Sequence, residues 1–149
     1  MSTITPHRPI PVAKPLVGAE EEKALLEVLR SGWLSQGPRV AQFEKEFASY
    51  VGAKEAVALS NCTTALHLGL VAAGVKPGDE VICPSLSFIA TANCIIHAGA
   101  CPVFVDIDPR TFNLDPARVE EAITPRTRAI LVVHQIGLPA AIDELLEIG

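Results

Sequence analysis

The chain has no long apolar run, no basic excess and no paired-cysteine motif, and it carries a single tryptophan, a single tyrosine and a single methionine. Each lack removes a class of protein. No apolar stretch approaches the roughly 18 residues of a membrane-spanning helix. The N-terminal stretch MSTITPHRPIPVAKP lacks the apolar core of a secretory signal, which makes the cytoplasm the expected compartment. A net charge of -5 with 19% charged residues leaves no basic face and argues against nucleic acid or an anionic membrane as partner. Cys62, Cys83, Cys94 and Cys101 form no CxxC pair, so neither a disulfide framework nor a zinc site is expected. His7, His67, His97 and His134 lack metal-ligand spacing, and no metal centre is expected from them. There is no internal repeat and no low-complexity tract.

What the chain does have is enough apolar content, 49% of 149 residues, for a compact domain with a sizeable core. Residues 1–15, with prolines at 6, 9, 11 and 15, read as a loose arm. Glu20–Ser31 predicts a helix opened by acids, with Ala24, Leu25, Val28 and Leu29 as its apolar stripe and Gly32 as its stop. Pro38 suits the first turn of a second helix, whose stripe is Val40, Phe43, Phe47 and Tyr50 and which stops at Gly52. From Glu55 the rhythm becomes strand, helix, strand. Strands are expected at Ala56–Leu59, Glu80–Cys83, Pro102–Asp106 and Ala129–His134. Helices are expected at Thr64–Ala73, Phe88–Ala98 and Pro116–Ala122, and from near Pro139 to the end. The run AILVVH fits a parallel strand buried on both faces. The pattern predicts an α/β fold, a three-layer sandwich around a mainly parallel sheet built from βαβ crossovers.

The stretch Ala56–Ala73 organises the rest. A short apolar run stops at Ser60-Asn61-Cys62-Thr63-Thr64, and an amphipathic run with Leu66, Leu70 and Ala73 follows. A strand, a small polar turn and a helix present unpaired backbone N–H groups and the positive end of the helix dipole, which suits a phosphate. Thr63 and Thr64 add hydroxyls where caps are favoured. On this stretch alone, plain helix capping is the simpler reading.

The segment Pro84-Ser85-Leu86-Ser87-Phe88-Ile89-Ala90-Thr91-Ala92-Asn93 changes that balance. With SNCTTALH, Ser31–Pro38 (SGWLSQGP), Phe43-Glu44-Lys45-Glu46-Phe47 and Phe104–Asp108 (FVDID), it resembles the DegT/DnrJ/EryC1/StrS sugar aminotransferases from about Pro15 to Gly149. The resemblance implies a pyridoxal-phosphate enzyme with the large domain of the fold type I transferases. Its relatives move an amino group from an amino acid, usually glutamate, onto a nucleotide-linked keto-sugar, and they work as homodimers. Carried over residue by residue, it implies that Cys62 and Thr63 hold the cofactor phosphate and that Phe88 stacks on its ring. Relatives commonly have glycine or alanine where Cys62 stands, a mild departure. A nucleophilic thiol is the alternative for Cys62, but no histidine or acid stands beside it in sequence. Trp33, Ser35 and Gln36 fall in a loop that approaches substrate in resembling proteins, and Gln135 ends a strand at the ligand edge of such sheets. Each has an ordinary loop role as its alternative.

Two parts of such a site are not supplied. The cofactor needs a Schiff-base lysine in a shielded pocket, and Lys14, Lys23, Lys45, Lys54 and Lys76 match neither that setting nor the family's lysine segment. The resemblance implies a lysine beyond Gly149, so no catalytic residue is assigned within this chain. It likewise implies that the acid opposite the pyridine nitrogen lies on a later strand. Asp106 and Asp108 then read as loop and cap residues, Asp106 being the nearer to the site. Residues 16–149 are thus expected to form an incomplete large domain, inactive alone and poorly soluble because of an unpaired sheet edge. The alternatives are a sugar dehydratase of the same fold, with histidine in place of the lysine, and a truncated, non-catalytic product.

Overall fold

The computed structural model describes Pro11 and residues 13–149; the rest of the expected arm, residues 1–10 and Val12, lies outside the described residues. The chain divides into two compact units, one ending at Ala58 and one running from Leu59 to Gly149.

The first unit is helical. Helix α1 spans Ala19–Ser31, and α2 spans Pro38–Val51. Local chemistry sets both. Gly18 N–H donates to Glu21 Oε2 at 2.7 Å, and Glu20, Glu21 and Glu22 sit at the positive end of the α1 dipole. Gly32 closes α1 at φ 74°, a left-handed conformation that costs glycine little. Arg39 of α2 pairs with Glu27 of α1. The rings of Phe43 and Phe47 sit one turn apart, 5.7 Å between centroids. Ala48 alone is buried among the described residues of this unit, so the apolar stripes of both helices remain open. Ala56–Leu59 is not a strand. No strand pairs with it among the described residues, and Ala58 N–H donates instead to Glu44 Oε1 at 2.8 Å.

The second unit carries the sheet. Helix α3 (Cys62–Ala72) leads to strand β1 (Glu80–Pro84), helix α4 (Ala90–His97) to β2 (Cys101–Val105), and α5 (Pro116–Ala122) to β3 (Thr127–Ile130); helix α6 (Ile142–Ile148) follows. The strands are parallel in the order β2-β1-β3, with Glu80 opposite Cys101 on one side and Thr127 on the other. Strand β1 is central and buried throughout. Its side chains alternate between two cores, as a period of two requires. Val81 and Cys83 pack with Leu70, Cys94 and Ile95 beneath α3 and α4, while Ile82 packs with Leu114, Val119 and Leu145 beneath α5 and α6. The unit is therefore the expected three-layer α/β arrangement with a parallel sheet.

Some boundaries differ from expectation, each for a physical reason. β3 stops at Ile130, so Leu131–His134 is not strand. Leu131 N–H still donates to Ile82 O at 2.8 Å, but the next donor along β1 on that side is position 84, a proline without an N–H. α4 begins at Ala90, and Phe88 precedes it. Thr91 N–H closes an i+3 turn on Phe88 O at 3.0 Å, and the Ser87 and Thr91 hydroxyls meet at 2.7 Å, which displaces the helix start. α6 starts at Ile142 rather than near Pro139, after a tight turn in which Ile142 N–H donates to Ala140 O at 2.8 Å. Among the described residues no helix is long and apolar enough to cross a membrane.

Candidate functional site

Because the three strands are parallel, their C-terminal ends share one edge of the sheet. Ser85 follows β1 there, Asp106 follows β2, and the chain beyond Leu131 follows β3. Ser85 N–H donates to Val105 O at 2.9 Å, and its hydroxyl reaches Asp106 Oδ1 at 3.4 Å. Asp106 thus caps the edge, while Asp108 folds back on itself. The Arg110 side chain and backbone N–H both donate to Asp108 and hold its carboxyl below the usual carboxylate range.

Helix α3 points its N-terminus at the same edge. Its C-terminal turn lies by the start of the sheet, where a Cβ on Gly74 would come within 3.2 Å of the Arg128 guanidinium at the head of β3. An 11-residue helix is about 16 Å long, so Cys62 and Thr63 lie at the opposite end. The cap is Asn61, not a threonine. Its Oδ1 accepts from Thr64 N–H at 2.9 Å and from Thr64 Oγ1 at 3.1 Å. Thr64 is therefore spent inside the cap. The N–H groups of Cys62 and Thr63 have no hydrogen-bond partner among the described residues, which leaves two donors at the positive end of the dipole. Asn61 was legible: asparagine directly before an amphipathic run is a standard cap signal.

Phe88 stands in the loop between β1 and α4 with 76% of its surface exposed, so it is not a core residue. Leu86 and Ile89 beside it are open as well. Gln135 begins a short turn after β3, and its backbone N–H donates to Asn113 Oδ1 at 2.8 Å. Asn113 lies 22 residues upstream, and no local sequence pattern points to it. The topology thus places Cys62, Thr63, the Phe88 loop and Gln135 along one edge of the sheet. Trp33 and Ser35 belong to the first unit, where they line a cleft of about 420 Å³ between α1 and α2 with Leu34, Val28 and Arg39. All five lysines are exposed. Among the described residues, no three His, Cys, Asp or Glu side chains gather as a metal site.

Unpaired helix N–H donors at the carboxyl edge of a parallel sheet covered on both faces are the arrangement in which α/β proteins commonly take anionic ligands. Comparison with known sequences makes the class specific. Residues 15–149 match the profile of the DegT/DnrJ/EryC1/StrS aminotransferase family, and the chain belongs to that family. It is 55% identical over 140 residues to the spore coat polysaccharide biosynthesis protein SpsC of Bacillus subtilis, covering 94% of this chain and 36% of that protein. It is 52% identical over 141 residues to a GDP-perosamine synthase of Caulobacter vibrioides, covering 94% and 38%. Among solved structures, Spr1654 of Streptococcus pneumoniae in its PLP form superposes with a TM-score of 0.89 at 37% identity, over 93% of this chain and 36% of that one. The same protein has also been solved in a PMP form. DesV of S. venezuelae superposes with a TM-score of 0.84 at 45% identity, over 87% and 35%. The likeness confirms the fold as that of these pyridoxal-phosphate aminotransferases. The chain spans little more than a third of the length of the relatives it matches.

Proposed function

We propose that these residues form the cofactor-phosphate and ring-contacting part of a pyridoxal-phosphate-dependent sugar aminotransferase. The observation that carries the reading is the pair of unpartnered N–H groups at Cys62 and Thr63, set where the parallel strands end. A phosphate there meets two backbone donors, the dipole and the Thr63 hydroxyl. Phe88, exposed in the loop that follows β1 at the same edge, supplies a flat face for the ring. The residues fit the group. When bound, pyridoxal phosphate supplies the electron sink for moving an amino group between carbon skeletons. This chain's contribution is to hold the cofactor by one end and one face. The exposed lysines leave the covalent tether to a residue outside 1–149, and we read residues 16–149 as part of one large domain of the whole enzyme.

For the whole enzyme, we read an amino acid, with glutamate favoured, as donor and a nucleotide-linked keto-sugar as acceptor. The polysaccharide-biosynthesis and GDP-perosamine relatives support that reading. Trp33, Ser35 and Gln135 are its proposed substrate contacts, Gln135 also being placed to meet the cofactor, and family resemblance supports a cytoplasmic homodimer. The test is to titrate the chain with pyridoxal phosphate, following absorbance and amide resonances before and after borohydride. Saturable binding with shifts at Cys62 and Thr63 and no reduced adduct on a single lysine is expected. An adduct mapped to one of the five lysines would overturn the division of labour. Replacing Phe88 by Ala should weaken binding by about 0.5–1.5 kcal/mol, roughly two- to tenfold, with little effect on stability.

A further inference from the structure

The loop after β3 has a shape the chain does not adopt unaided. Ile136 sits at φ 52° and Gly137 at φ 81°, both left-handed. For a β-branched residue that conformation is strained. Nothing in the core asks for it, because Ile136 is 95% exposed. The loop is held from outside by Asn113, which is 3% exposed. Its Nδ2 donates to Leu138 O at 3.0 Å and to Pro139 O at 3.1 Å, and its Oδ1 accepts from Gln135 N–H at 2.8 Å. One carboxamide therefore binds both ends of the five-residue loop and uses both N–H groups. Asn113 is itself fixed. Its neighbour Phe112 is the other non-glycine residue at positive φ, 59°, and Asp108 N–H donates to Asn113 O at 2.9 Å. A second tie closes the loop base, where Ala140 N–H donates to His134 Nδ1 at 3.0 Å.

We propose that Asn113 is a positioning residue for ligand recognition: its carboxamide holds the strained loop that presents Gln135 at the carboxyl edge of the sheet. The loop joins two core residues, Leu131 and Ala140, and its own tip at Ile136 and Gly137 is exposed, outside either core. Strain maintained by a dedicated buried side chain, at the edge where parallel sheets bind ligands, is what a preorganised contact requires. Asn113 touches no ligand; it sets where the Gln135 carboxamide stands. The inference rests on the cofactor reading above, which places the ligand at that edge.

The test uses pyridoxal phosphate and isotope-labelled protein carrying Asn113→Ala, Gln135→Ala or both. In the Asn113→Ala protein, exchange of the Gln135 amide should accelerate at least tenfold, while the Leu131 amide, bonded to Ile82, stays protected. The dissociation constant should rise at least threefold, and the ligand-induced shift at Gln135 should vanish while those at Cys62 and Thr63 persist. The double variant should bind no more weakly than Gln135→Ala. Should Asn113→Ala fail to fold, Asn113→Asp keeps the acceptor for Gln135 and loses both donors. It should leave the Gln135 amide protected and weaken binding less. An unchanged Gln135 shift and affinity in the Asn113 variants, or additive losses in the double variant, overturns the proposal. Silence of Cys62 and Thr63 in the unmodified protein is a different result: it overturns the cofactor reading and this inference with it.

Discussion

Asn61 allows stability and phosphate binding to be moved in opposite directions. Its Oδ1 satisfies the Thr64 N–H and receives the Thr64 hydroxyl. Asn61→Ala removes both and should cost about 1 kcal/mol of stability, the usual value of a lost cap. It should also weaken phosphate binding, because the first turn of α3 then frays. Asn61→Asp keeps the acceptor and puts a negative charge at the positive helix end, a gain of about 0.3–1 kcal/mol. The same charge faces any bound phosphate. At about 6 Å, and at a dielectric near that of water for so open a site, the repulsion is about 0.7 kcal/mol per pair of unit charges. A phosphate carrying about 1.5–2 charges, screened by salt, brings this to about 1 kcal/mol, or about a fivefold loss of affinity. Urea denaturation and pyridoxal-phosphate titration on the three proteins are the assays. The aspartate protein should be at least as stable as the parent and bind about five times more weakly. Equal affinity of the two would place the phosphate elsewhere and refute the reasoning.

The remaining predictions concern the second unit. Glu80 accepts from the Thr124 hydroxyl and pairs with Arg126, and these lower its carboxyl from the usual range, the Thr124 bond first. A depressed carboxylate stabilises fully above its unfolded value and loses that contribution as pH falls through the folded one. Glu80→Gln should therefore lower the midpoint of urea unfolding at neutral pH and flatten its dependence on pH below about 4.5. Burial pushes the Cys83 thiol up to about 11 and raises that of Cys94, whereas Cys62 and Cys101 are exposed. A disulfide reagent at neutral pH should modify two thiols quickly and the other two only on unfolding; four fast thiols would contradict the packing. Ile136→Gly should stabilise the protein by roughly 0.5–1 kcal/mol in denaturant titrations, because glycine accepts the left-handed loop position without strain.

Where structure follows from neighbours in sequence, the chain declares it. Gly32, Pro38 and Gly52 bound α1 and α2 as read, and Asp115-Pro116 opens α5 with the Asp115 side chain accepting from Ala117 N–H at 3.0 Å. The motif SNCTTALH marks a helix N-terminus, and the structure puts one there with Asn61, not the threonines, as its cap. What was illegible depends on partners far away. Ala56–Leu59 reads as a strand, yet a strand exists only with a neighbour to bond, and no strand pairs with it among the described residues. The early end of β3 is a property of Pro84, 47 residues before Leu131, since it is the partner strand that lacks the donor. Asn113 looks like an ordinary turn residue, and its role follows only once the fold brings Gln135, Leu138 and Pro139 to it.

The central place of β1 has a consequence for the order in which the sheet assembles. Its first neighbour, β2, arrives through a single helix, with Glu80 paired to Cys101; its second, β3, pairs Glu80 with Thr127 only after α5 has been laid down. The difference in loop-closure entropy is small, about 0.7 kcal/mol, but the topology adds direction. Once β1 and β2 are joined across α4, the free side of β1 is a finished template on which β3 needs only to dock. That two-strand template is complete at Val105, before residues 106–149 have joined the fold. In refolding followed by pulsed hydrogen exchange, the Cys101 amide, which donates to Asp79 O, should gain protection before that of Leu131. The late arrival of β3 then makes its end of the carboxyl edge, with the loop at Gln135, the last part of the sheet to take shape.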